Sequence, residues 1–496
     1  MNKITAILIL ILIMASGLRL YGLDHQSLWE DELSSWARSH YSNLNSVIKN
    51  GVMSDVHPPG YHMVVYFVEK YIGNNETALR LPSAISGILS VLVIFFLGVR
   101  LYSYREGLIA SAMTAVLWCP VYFSQEGRAY SMLLLFTLLS TYFWVTMLMR
   151  LNEEKKISIY LGSGYVLSAA VATYLHYFGL FLIILQAFWS VVFFIRKPRA
   201  LLTFFIAYFF VLIAYIPSLT IMVNHLQSNN ISDNLGWIKP PGNIIVSFCD
   251  YLKYIFNGSL KFVILAVGMY VYLFFLILFK LFIHKKIKNI ENKSFPIESL
   301  LFLWLIVPFT VLYIKSVVSY PVLIYRGLII SLPAAYLLLS RAITQLFKRP
   351  IYQAIITVMI IAYGLYWLIS DGYYVKPTKE QFREAAYTIA DNDKYYKNSL
   401  IIGYAWNLQY FNYYLMQKGS VKRVNIMAGD EKDIPQTASI INKVKPEYVW
   451  YIFGHRDPDD KYLDFMKKRL SLIKKIRFID TGVILFKNID QLNRGI

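Results

Sequence analysis

ITAILILILIMASGLRLYGLDHQSLWEDELSSWAR (residues 4–38) joins a run apolar enough for a bilayer to three adjacent carboxylates, Glu30, Asp31 and Glu32. The run is longer than the roughly 7–15 apolar residues of a cleaved leader, so it reads as an uncleaved first membrane helix. Acidic residues are favoured in the first turn of a helix, where the dipole stabilises them. That explains carboxylates at a helix start, but it does not explain three of them where a basic chain leaves the membrane. The second reading is that one of them is a catalytic base.

Working outward, the rest of the chain follows the lead of this segment. Of its 496 residues, 57% are hydrophobic and 16% charged, with a mean hydropathy of +0.46. Repeated apolar stretches of about 20 residues each match a hydrocarbon core of ~30 Å. The sequence is that of a polytopic membrane protein. Its formal net charge of +19 reflects Lys and Arg gathered at cytoplasmic helix ends. No basic motif belongs to a nucleic-acid-binding fold, so nucleic acid is excluded as a partner. Two cysteines, Cys119 and Cys249, exclude a disulfide framework and disfavour a metal–thiolate site.

Hydropathy predicts spans near 4–22, 80–101, 107–123, 129–149, 158–175, 178–195, 200–222, 261–283, 298–315, 323–341 and 351–370. The expected class is an α-helical polytopic membrane protein of about 11–13 spans. With the N-terminus inside, the connections 102–106, 150–156, 196–199, 284–293 and 341–350 are cytoplasmic, and all are basic. The opposite connections, 23–79, 125–128, 176–177, 223–260 and 316–322, are long or weakly charged. Residues 1–370 then form the membrane domain, and 371–496 an outer domain. That tail mixes helix-like stretches (TKEQFREAAYTIADN, KYLDFMKKRLSLIKK) with β-rich ones (SLIIGYAW, YVWYIFG, TGVILFK), which reads as a small α/β fold. Its Tyr-rich segments fill a core more readily than they bind sugar.

The first outer loop, 23–79, is too long for a plain connector. After the acidic triplet it carries DVHPPGYHMVVYFVEKYIG (55–73), where HPPG reads as a turn and the apolar stripe that follows is too short to span. It fits a helix lying at the membrane surface. At other expected outer helix ends stand Arg80, Arg128, His176 and Arg326. Arg grips phosphate oxygens in bidentate fashion. Taken singly, each arginine also fits a snorkelling or structural side chain. Arg128 departs furthest from that, because basic residues at outer ends run against the topological bias. His57 also fits a role in organising the HPPG turn, and His25 and His62 read as structural.

In order, SLWEDE, HPPGYH, RLPSAISG, SQEGRAYS and YLHYFGL resemble the family 39 type of GT-C glycosyltransferase, a group that includes protein mannosyltransferases and bacterial aminoarabinose transferases. The likeness runs through about the first 180 residues. It resumes in GWIKPPGN (236–243), where Lys239 replaces a proline, and in LIYRGLI, where Tyr325 precedes Arg326. The resemblance implies a GT-C membrane fold with an extracytoplasmic C-terminal α/β domain, in the cytoplasmic membrane of a prokaryote. It implies inverting transfer of a sugar from a polyprenyl-phosphate donor to an acceptor hydroxyl or phosphate of a lipid, polysaccharide or protein. Asp31 maps to the base, Glu32 to its support or to acceptor binding, and Glu30 to a bystander. His57, Arg80, Arg128, His176 and Arg326 map to the donor phosphate, with Trp29, Tyr61, Tyr130 and Trp237 as aromatic members of the substrate loops. The resemblance requires no cofactor and leaves a divalent cation open.

Two other classes fit the composition. A transporter or flippase for lipid-linked glycans places its ionisable groups near the bilayer midplane, whereas here they gather at the rim. A ligase moving a whole glycan from a polyprenyl diphosphate differs only in its donor. The short tail and the lack of large inserted loops favour a glycolipid or polysaccharide acceptor over protein.

Overall fold

A computed structural model describes residues 3–227, 236–286 and 297–489. Most of the basic connection expected at 284–293 lies outside them, as does part of the loop expected at 223–260. The chain divides into two compact units, one of Met1–Leu23 with Arg38–Asp371, the other of Asp24–Ala37 with Gly372–Ile496.

The first unit is a helical bundle. Among the described residues, nine helices are long and apolar enough to cross a membrane. They include α1 (Lys3–Leu20), and their core is continuous from Ile94 to Ile360. Two of the eleven expected spans take another form. The span expected at 107–123 breaks into Tyr104–Val116 and Trp118–Ser124, bent by 58°. Pro120 is the cause: it has no N–H for the Val116 carbonyl, and its ring collides with that carbonyl in a continuous helix. Leu117 turns extended (φ −70°, ψ 144°). The Trp118 N–H exposed by the break donates to Asn257 Oδ1 at 2.6 Å. The helix Ile159–Leu175 has only 17 residues, short of the ~20 needed for a full crossing. The span expected at 323–341 begins as a 3-10 helix, Tyr325–Ser331, before the α-helix Leu332–Leu346, which carries Pro in its first turn.

The second unit is a five-stranded mixed sheet of order β2-β1-β3-β5-β4, with β1 (Ser399–Tyr404), β2 (Ile426–Met427), β3 (Tyr448–Gly454), β4 (Leu470–Arg477) and β5 (Thr481–Asn488). Strands β2, β1 and β3 run parallel; β5 returns antiparallel to β3, and β4 pairs antiparallel with β5. The buried aromatics Tyr451, Phe453 and Tyr462 fill its core. KYLDFMKKRLSLIKK does not stay helical. Its helix ends at Arg469, and LSLIKKIR becomes the edge strand β4. Pairing with β5 and a lysine-studded exposed face suit an edge strand.

This unit also takes in α2 (Glu30–Ala37), which the sequence assigned to the membrane domain. The reason is a dense set of polar contacts across some 350 positions. Leu28 N–H donates to Tyr414 Oη at 2.6 Å and Glu30 N–H to Glu380 Oε2 at 2.7 Å. The Arg383 guanidinium donates to the carbonyls of Asp24 and His25, each at 2.7 Å. Trp36 meets Tyr413 edge-on at 4.7 Å.

Candidate active site

The helix Pro59–Tyr71 opens a polar region of the first unit. HPPG is not a turn here. Pro58 is extended, as the residue before a proline must be, and Pro59 takes the first helical position. Gly60 is helical, and a Cβ there would lie 2.5 Å from the Tyr174 carbonyl oxygen, so glycine serves a close helix approach. The two prolines fix the chain just beyond His57.

Three groups converge on the buried Asp55 carboxylate. His62 Nε2 lies 2.8 Å from Oδ2, His57 Nδ1 lies 3.2 Å from the same oxygen, and Arg38 Nε lies 3.8 Å from Oδ1. With Nδ1 facing the carboxylate, the His57 proton belongs on Nδ1 and the lone pair on Nε2. Arg128 Nη2 stands 3.5 Å from that Nε2. His57 therefore orients Arg128 while Asp55 orients His57.

Arg128 lies in the irregular link between the helix Trp118–Ser124 and the helix Tyr130–Asn152, and that link is clamped on both sides. Ser83 Oγ donates to the Arg128 carbonyl at 3.0 Å, and Gln125 Nε2 donates to the Tyr21 carbonyl at 2.7 Å. His176 joins from the junction of the helices Ile159–Leu175 and Tyr177–Phe194. It ends one and caps the next, its Nδ1 accepting from Phe178 N–H at 3.2 Å. Its ring lies 5.4 Å from that of His57 and 5.7 Å from that of Tyr130. The Arg326 guanidinium sits over Tyr130 at 5.6 Å and over Trp237 at 5.5 Å. So His57, Arg128, Tyr130, His176, Trp237 and Arg326 form one continuous cluster.

The electrostatics favour an anion. Burial alone would raise the Asp55 carboxyl, but His57, His62 and Arg38 hold it well below the usual carboxylate range. Burial, aided by Arg128 and His62, lowers His57 against the pull of Asp55. His176 is lowered well below its ordinary value by burial, then by His57, Arg128 and Arg326. Both imidazoles are thus neutral at neutral pH, and the arginines carry the positive charge.

This makes a pH prediction. Below the ordinary histidine value the unfolded chain binds protons that folded His57 and His176 refuse, so their contribution to stability is present above that value and is lost as pH falls. Thermal stability in detergent should decline from about pH 7 to about pH 5. The slope should flatten in His57→Gln and His176→Asn, and an equal slope in both variants and wild type would remove these histidines as its source.

Other expected site residues lie elsewhere. Arg80 is buried and donates Nη1 to the Leu23 carbonyl at 2.7 Å. Tyr61 is buried in the helix Pro59–Tyr71. Trp29, Asp31 and Glu32 belong to the second unit. Asp31 is half-buried, and its carbonyl accepts from Ser35 Oγ at 2.9 Å. Glu32 is engaged within the protein: its carboxylate, 1% exposed, pairs with Lys379 Nζ at 3.4 Å, and Lys379 is itself 6% exposed. Glu32 Oε2 also accepts from Trp29 N–H at 3.3 Å, tying down the start of α2. Asp55 was not among the expected site residues. Its signal was available as an acid two residues before the HPPG histidine. Lys379 carried none.

A family model described as dolichyl-phosphate-mannose-protein mannosyltransferase matches residues 56–221, from just before His57 past His176. No sequence among the curated proteins matches the chain. Among solved structures, ArnT from Cupriavidus metallidurans bound to undecaprenyl phosphate aligns at a TM-score of 0.60 and 13% identity, covering 96% of this chain and 97% of that one. The Archaeoglobus fulgidus oligosaccharyltransferase in complex with Zn and sulfate aligns at a TM-score of 0.51 and 12% identity, over 90% of this chain and 67% of that one. At such identity the structures speak for the fold alone, and the family model matches less than half of the chain. The chain thus shares the fold of these membrane transferases, and its residues 56–221 are similar to the mannosyltransferase family.

Proposed function

We propose that the chain transfers a sugar from a polyprenyl-phosphate donor to an acceptor hydroxyl or phosphate at the outer surface of a prokaryotic cytoplasmic membrane, inverting the anomeric centre. The observation that carries this reading is the cluster around Arg128. Two guanidiniums, two neutral imidazoles and two aromatic faces meet in one place, largely on the segment that matches the family model. Arg128, aimed by His57 and Asp55, grips the donor phosphate and stabilises the charge that grows on it as the glycosidic bond breaks. Arg326, held on Tyr130 and Trp237, adds a second cation. Asp31 takes the proton of the acceptor hydroxyl as it attacks the anomeric carbon. The ArnT structure, described as bound to undecaprenyl phosphate, supports a lipid-phosphate donor. The basic connections on one side of the sequence support an inside N-terminus.

Membranes carrying the full chain and given radiolabelled polyprenyl-phosphate sugars test the reading. Label should move from the donor into one of the lipid, polysaccharide or protein fractions, and that fraction names the acceptor. If every tested donor keeps its label while lipid-linked sugar crosses between leaflets, the chain is a transporter and the reading fails.

A further inference from the structure

Glu30, which resemblance left as a bystander, has a defined setting in the second unit. His455 directly follows β3, and its N–H donates to the Asp480 carbonyl at 2.9 Å. Its ring packs against Phe382 at 5.1 Å and Tyr410 at 6.1 Å. The side chain is 7% exposed, and neither ring nitrogen makes a hydrogen bond. Nε2 nevertheless faces two carboxylates, 3.3 Å from Glu30 Oε2 and 3.4 Å from Glu380 Oε2. One ligand atom from each of the three residues falls within 4.8 Å of the others.

We propose that Glu30, Glu380 and His455 bind a divalent transition ion of the zinc class. A protonated imidazole bridging two carboxylates would aim its N–H along one Nε2–O line, and here neither line makes a hydrogen bond. A metal asks for a different geometry. Ligands about 2.0–2.1 Å from a tetrahedral zinc lie roughly 3.3–3.4 Å from one another. Both measured separations have that length. A neutral imidazole with two carboxylates suits zinc better than calcium or magnesium, which prefer oxygen alone. The donor set balances a 2+ ion and leaves a fourth position for water. Glu380 is already oriented by the Glu30 N–H, 2.7 Å from its Oε2, as a metal's carboxylate ligands usually are by outer hydrogen bonds. The ion would fasten the first turn of α2 to the C-terminal sheet, one residue before Asp31. The site stands apart from the transfer reading, because metal is counted directly.

The test uses the full chain in detergent, stripped with a chelator, titrated with zinc chloride by calorimetry, and analysed for metal after desalting. Wild type should retain about one equivalent and melt at higher temperature with zinc. Glu30→Gln and Glu380→Gln should each weaken binding at least ~10-fold and lose the zinc-dependent shift in melting. His455→Gln should do the same. Should it misfold for want of its ring packing, the half-exposed Glu30→Gln still decides the matter. Wild type that retains no zinc overturns the proposal, as do carboxamide variants that retain as much as wild type.

Discussion

Asp31→Asn, at equal abundance in the membrane, should reduce sugar transfer by two orders of magnitude or more, the ~10²–10⁴ carried by a positioned general base. The amide keeps the shape of the side chain and removes its basicity. Asp31 is half-buried, and its backbone carbonyl, which accepts from Ser35 Oγ, is left alone by the substitution. Melting measured beside turnover separates lost chemistry from lost folding. Its neighbour supplies the contrast. Glu32 and Lys379 are both buried, and an ion pair broken from one side strands a charge, typically at about 3–5 kcal/mol. Glu32→Gln should thus lower stability first and activity only through it. Glu32→Gln with Lys379→Met should recover stability, since replacing both partners is far gentler than removing one. Transfer unchanged in Asp31→Asn would put the base elsewhere, with Asp55 next in line.

How much of this was visible in the sequence depends on the range of the interaction. Spans were legible because each apolar run is a local signal of known length. Pro120 was equally local, yet its effect on the 107–123 run depended on Asn257 being at hand to accept the exposed Trp118 N–H. The histidines and arginines of the cluster were legible through resemblance, residue by residue. Their division of labour was not. That His57 serves Arg128 follows from Asp55 facing Nδ1, and which ring nitrogen faces which partner is a tertiary fact. Least visible was the attachment of residues 24–37 to the C-terminal unit. It is made of single hydrogen bonds to Glu380, Arg383 and Tyr414, none of which changes the local periodicity of either segment. Nothing local in the sequence marks Lys379, which is a buried counter-ion.

Arg19→Met should destabilise the first unit severely, although the residue lies in no expected site. Its guanidinium is fully buried at the end of α1. It donates to the Thr114 carbonyl at 2.7 Å, the Ala115 carbonyl at 2.9 Å and Ser124 Oγ at 3.1 Å. Those two carbonyls belong to the last turn before the break that Pro120 imposes, where an α-helix leaves its final acceptors without partners. Arg19 replaces the amide donors that the break removed. Methionine fills similar volume and donates nothing, so each abandoned carbonyl costs about 1–3 kcal/mol. Relief from burying a charge offsets part of the sum, leaving a net loss of roughly 2–4 kcal/mol, or about 30- to 1,000-fold in the folded population. Lys should rescue poorly, because one ammonium cannot reach three acceptors in a planar fork. Gly87→Ala should mimic the loss from the other side, since a Cβ there would strike Ser124 Oγ and lie 2.8 Å from Arg19 Nε. Melting of the purified protein in detergent reads all three. An Arg19→Met variant that melts with wild type would mean that water satisfies those carbonyls instead, and that the break in the helix stands without its arginine.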